Sequence, residues 1–151
     1  MRGPGFTFTD LALFFRALLL ARRAQKVQSH PIPWVVADMA GRGGGGGRHD
    51  AERSTLAALR ATNRWSRWFG GINTCLVRSL VIGAMLEGSG RIVLHIGFRP
   101  GETEMSIDGH AWVTVDDLAL GIDGQCRAQP YSRVLAIPFT DETEDGREPN
   151  A

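Results

Sequence analysis

Three side chains in this sequence have the types and spacing for thiol chemistry: Cys75, His110 and Asp123. Cys75 follows the chain-breaking pair Gly70-Gly71 and the capping pair Asn73-Thr74, and it opens the apolar run Leu76, Val77, Leu80, Val81, Ala84, Met85. That pattern puts it in the first turn of a buried helix. Unpaired backbone N–H groups and the positive end of the helix dipole converge there, which is the setting a nucleophilic thiolate requires. Read by itself, a free cysteine is more often a small buried hydrophobe. His110 begins the alternating segment Gly109-His110-Ala111-Trp112-Val113-Thr114-Val115, and a lone histidine in such a segment is more often packed than catalytic.

A hairpin count changes that weighting. With Asp116 and Asp117 as the two turn residues, Val115 faces Leu118, and counting outward brings His110 opposite Asp123 on one face, with Cβ atoms about 4.5–5.5 Å apart. The register nominates Asp123 over Asp108, Asp116 and Asp117 as the acceptor that fixes the imidazole tautomer. The other ring nitrogen is then left to take a proton from Cys75.

The elements that must hold these residues are legible from period and punctuation. Thr7 and Asp10 form a capping box ahead of Leu11, Phe14, Phe15 and Leu18 at helical spacing, with Arg22, Arg23 and Lys26 at the far end. His30-Pro31-Ile32-Pro33-Trp34 cannot continue that helix, because prolines remove donors and bias their predecessors toward extended backbone. Asp50 caps a second helix running to about Trp68, with Ala58, Leu59, Thr62, Trp65 and Phe69 on one side. Arg53, Arg60, Arg64 and Arg67 lie elsewhere on it, most simply as a solvated face, with an acidic peptide or partner protein as the second reading. The third helix runs from Leu76 to Glu87 and stops at Gly88 and Gly90. From Ile92 the period is two, giving strands over Ile92 to Phe98, His110 to Val115 and Leu118 to Ile122. Helices followed by an antiparallel sheet make an α+β fold.

At 151 residues the chain has room for one domain, which we assign to residues 1–139, with the acidic, polar stretch 140–151 as a disordered tail. Its 43% hydrophobic and 22% charged content is that of a globular protein, and a net charge of +1 gives no global field for nucleic acid or anionic lipid. The apolar run near the N-terminus is interrupted by Asp10 and Arg16 and falls short of the ~20 residues of a membrane span. Two cysteines in unlike contexts suit a reducing compartment, so a cytoplasmic location is expected. Residues 42–48 carry an uninterrupted glycine run, expected as a flexible surface loop; the phosphate-binding signature is missing from it. Cys75, His110 and Cys126 match no compact zinc spacing, so no metal and no cofactor are expected.

Taken in order, the segment Cys75 to Leu80, the strand Arg91 to Arg99 ending at Pro100, and His110-Ala111-Trp112-Val113 resemble the standalone lasso peptide leader peptidases, part of the transglutaminase-like cysteine protease superfamily. The resemblance is most specific from Cys75 to Asp123 and weaker from Ala51 to Gly71. Where that family usually shows a glycine after the first aspartate of the hairpin and an Asn-Asp pair at the acid, this sequence has Asp116-Asp117 and Gly121-Ile122-Asp123. The resemblance implies a papain/transglutaminase-like fold, with helices packed on a small antiparallel sheet and a Cys75, His110, Asp123 triad. It further implies removal of the leader from a ribosomally made lasso precursor peptide. The expected partners are that precursor, a separate small leader-recognition protein and the lasso cyclase. The Cys75 backbone N–H and a donor from the Trp65 to Asn73 segment would hold the oxyanion, with Arg78 and Ser79 as structural supports. Two readings stand beside it: acyl transfer to an amine by the same triad, and a non-catalytic peptide-binding module on the same fold.

Overall fold

The computed structural model describes residues 7–43, 51–71, 74–103, 106–120 and 131–139. Four helices come first, α1 (Phe8–Val27), α2 (Ile32–Met39), α3 (Ala51–Phe69) and α4 (Cys75–Met85), followed by β1 (Ile92–Pro100), β2 (Ile107–Val115), β3 (Leu118–Ala119) and β4 (Ser132–Pro138). The strands form one antiparallel sheet in the order β3-β2-β1-β4. This is the expected α+β arrangement of helices against a small antiparallel sheet.

The capping box at the start of α1 is formed: the Thr7 hydroxyl accepts from the Asp10 N–H at 3.3 Å, and the Asp10 carboxylate accepts from the Thr7 N–H at 2.9 Å. The face that α1 buries is Ala17, Leu20, Ala21, Ala24 and Val27, so Leu11 and Phe15, read as part of a helical apolar pattern, stay exposed. Across from it α3 buries Ser54, Ala57, Ala58, Ala61 and Thr62, while Phe69 is exposed. Alanines on both helices let the two backbones approach closely, and the bulky residues are left at the margins.

The proline segment behaves differently from expectation. Pro31 and Pro33 do end α1, but α2 starts at once, with Pro33 in its first turn where no backbone donor is needed. Arg23 on α1 then clamps Asp38 on α2 through two bonds of 2.8 and 2.7 Å, and Arg42 adds a third at 3.0 Å. Gly43, expected in a flexible surface loop, is buried, and a Cβ there would overlap the Ala84 carbonyl of α4. Residues 44–48 lie outside the described residues.

Among the described residues no helix is long and apolar enough to cross a membrane. The core joins α1, α2, α3 and α4 to the inner face of the sheet, where Ile92, Leu94, Ala111 and Val113 are buried. β4 has no counterpart in the sequence reading, although Val134-Leu135-Ala136-Ile137 is an apolar run; it pairs with β1 on the side away from β2.

Candidate active site

Cys75 is the first residue of α4. Gly70, at φ +62, ends α3, and a Cβ on Gly71 would overlap the Trp65 indole, so the chain turns tightly against α3 on its way to the cysteine. Thr74 then caps α4, its hydroxyl accepting from the Val77 N–H at 3.3 Å. Cys75 is half-buried, carries a free thiol and packs against the core from the end of the helix where backbone donors have no intrahelical acceptor.

His110 lies in β2 opposite Gly97 of β1. Alternation along β2 sends Ala111 and Val113 into the core beneath α4 and puts His110 on the outer face with Trp112. There the imidazole is flanked by two rings, Trp112 at 6.1 Å and Tyr131 at 5.1 Å between centroids. Trp112 in turn stacks on buried His95 at 5.4 Å. Because Gly97 has no side chain, the Trp112 ring can cross it; a Cβ there would stand 3.1 Å from the indole and 3.0 Å from the Ser132 carbonyl. Arg99 closes the row, its guanidinium 4.9 Å from the Tyr131 ring centre.

Two contacts set the direction of α4 over the sheet. Ser79 donates to the Ala111 carbonyl at 3.0 Å, and Gly83 packs under the Phe139 ring, whose backbone N–H bonds Ile92 at the Val115 end of the sheet. Helix and strand therefore run in the same sense. One turn back from Ser79, about 6 Å along the axis, Cys75 comes level with the His110 end of β2. The structure thus brings Cys75 and His110 to the same end of the α4–β2 interface, one on either side of the β2 backbone. Among the described residues no hydrogen bond joins their side chains.

The hairpin that nominated Asp123 begins as expected. Asp116 and Asp117 both have positive φ, 49 and 64, the conformation of a two-residue turn, and the pairs Val115–Leu118 and Thr114–Ala119 are formed. The Leu120 N–H reaches the Val113 carbonyl at 3.2 Å, extending the register one step further. Asp123 itself lies outside the described residues, as do Asn73 and Cys126.

Within the segment expected to supply an oxyanion donor, the Trp65 indole N–H is already given to Gln25 at 2.5 Å. Ser79 does act as a support, and its acceptor adjoins His110. Trp112 and Tyr131, which flank the imidazole, had no role in the sequence reading. Trp112 was within reach of it, two residues along the same strand; Tyr131 depends on the pairing of β4, which was not foreseen. Among the described residues no group of three or more His, Cys, Asp or Glu side chains is arranged to hold a metal ion.

Comparison with curated proteins and with solved structures gives no match. The model of the transglutaminase-like superfamily matches residues 14–136, from α1 into β4 and across both Cys75 and His110. Its members are generally cysteine proteases and acyl transferases. The match spans well over half of the chain, and the chain belongs to the transglutaminase-like superfamily.

Proposed function

We propose that this chain is a cysteine peptidase that removes the leader from a ribosomally made lasso precursor peptide, with Cys75 as nucleophile, His110 as acid and base, and Asp123 as the acceptor that orients the imidazole. The observation that carries the reading is the Ser79–Ala111 bond together with the direction of α4, which brings the cysteine level with the histidine. The finer assignment to lasso precursors is supported by the sequence around Cys75, Arg91 to Arg99 and His110-Ala111-Trp112-Val113.

The thiolate of Cys75 attacks the scissile carbonyl, the C–N bond breaks, and His110 passes its proton to the leaving amine. Water then attacks the thioester, giving its proton to His110 and releasing the carboxylate. The Cys75 backbone N–H, at the start of α4, is one donor for the oxyanion. In this mechanism the thiolate reaches the imidazole past the outer edge of β2, where among the described residues β3 pairs with Thr114 and Val115. The reaction needs no cofactor. The separate partners are the precursor, a leader-recognition protein and the cyclase that joins the exposed core.

Mass spectrometry of a lasso precursor incubated with the chain and its recognition protein tests this. Cleavage between leader and core is expected, and Cys75→Ala is expected to abolish it while the circular dichroism spectrum is unchanged. Cleavage that survives Cys75→Ala would sink the mechanism. The same superfamily includes acyl transferases, so the mixture is repeated with hydroxylamine: a dominant hydroxamate product would assign transfer in place of hydrolysis.

A further inference from the structure

Between α1 and α3 runs an open groove of about 410 Å³ lined by Leu11, Phe14, Arg60, Asn63, Arg64 and Arg67. A smaller hollow that shares Phe14 and Arg60 continues it toward Arg53 and Leu56. The floor is apolar and one wall is basic. Arg60, Arg64 and Arg67 follow one another at i, i+4 and i+7, so they stand on one helical face, with Arg53 two turns earlier. All four are exposed, and among the described residues none of them makes an ion pair. Asp10 lines the smaller hollow and acts electrostatically on Arg53 and Arg60, but its carboxylate is occupied with capping α1, accepting from the Thr7 N–H at 2.9 Å and its hydroxyl at 2.7 Å.

A row of like charges on one helix face is unfavourable to the helix, and a wall of guanidiniums is shaped to hold carboxylates in paired N–H···O bonds. Leu11, 39% exposed, and Phe14 offer an apolar strip below that wall which solvent does not favour. We infer that this groove is a docking site for an acidic peptide segment of another chain, whose carboxylates engage Arg60, Arg64 and Arg67 while an apolar side chain settles on Leu11 and Phe14. A nucleic acid fits less well. The basic stripe is narrow, the floor is apolar, and the chain as a whole carries a net charge of only +1. The site does not depend on thiol chemistry, since its lining residues belong to α1 and α3 alone.

The test is fluorescence anisotropy on the full chain with a fluorescein-labelled dodecapeptide of three Leu-Glu-Glu-Glu repeats. Binding is expected, weakening as salt is raised. The double variant Arg60→Glu/Arg64→Glu should weaken it at least about tenfold, and Leu11→Asn several-fold, with unchanged circular dichroism in both. Equal affinity for the charge-reversed variant would overturn the proposal, as would an oligothymidylate of matched charge binding more tightly than the peptide. A full chain in which Asp141, Glu142, Glu144 and Asp145 are replaced by their amides should bind the probe as the natural chain does. A tenfold gain there would give the groove to the chain's own C-terminal segment and overturn docking from another chain.

Discussion

Ser79, 2% exposed, ties the first turns of α4 to the carbonyl of the residue after His110. Replacing it with alanine removes the donor and leaves a buried carbonyl short of a partner, a cost of about 1–3 kcal/mol by urea denaturation. If α4 positions the thiol, Ser79→Ala should also lower kcat for precursor cleavage with little change in KM. At the hairpin, Asp117 holds φ +64, a conformation that L residues adopt at a cost and glycine does not. Asp117→Gly should therefore stabilise the fold by about 1 kcal/mol. The same change at Asp116 should not, because the Asp116 carboxylate accepts from the Arg91 N–H at 2.9 Å. The two turn residues were legible because a hairpin is a local device. The acceptor of Ser79 was not, since it lies 32 residues away.

Among elements, the α1–α2 junction departs most from the sequence reading. Two prolines a residue apart look like an end to helix, and they are one, yet a proline in a first turn also favours the start of the next. The junction is held by Asp38, whose carboxyl is pulled down to about 2 by the hydrogen bond from Arg23, with Arg42 adding to it against the effect of burial. A folded pKa below the unfolded value gives stability that is present above the unfolded range and is lost as pH falls through the folded value, here from about 4 to about 2. Asp38→Asn should cost on the order of 2 kcal/mol at neutral pH. The gap between natural chain and variant should close as denaturation is measured toward about pH 2. A gap independent of pH would show that the clamp acts by shape alone. The helix positions of α1 and α4 were legible from caps and period and that of α3 from its period and glycine stop, Asp50 lying outside the described residues, whereas the buried stripes of α1 and α3 were not. Large apolar residues marked the expected face, and close alanine packing decided the real one.

Across the whole molecule, the sheet is joined to the helices at its far end by Phe139, 3% exposed, lying on Gly83 of α4. A methyl group at Gly83 would occupy the space of that ring, so Gly83→Ala is expected to destabilise by about 1–3 kcal/mol through overpacking, read as a lower thermal midpoint. The α+β class was legible because helical and alternating patterns occupy separate halves of the chain. The strand order was not, because β4 contributes a short apolar run whose partner is three strands back in sequence. That order also has a consequence for synthesis on the ribosome. β1 and β2 emerge as neighbours and pair early, but β1 must wait for the chain to reach Pro138 before its second flank is covered. Until then the backbone of Ile92 to Phe98 offers an unsatisfied rim to any extended strand in its vicinity. Stalled or truncated chains lacking the last strand are therefore expected to associate through that rim, a failure to which completed molecules are closed.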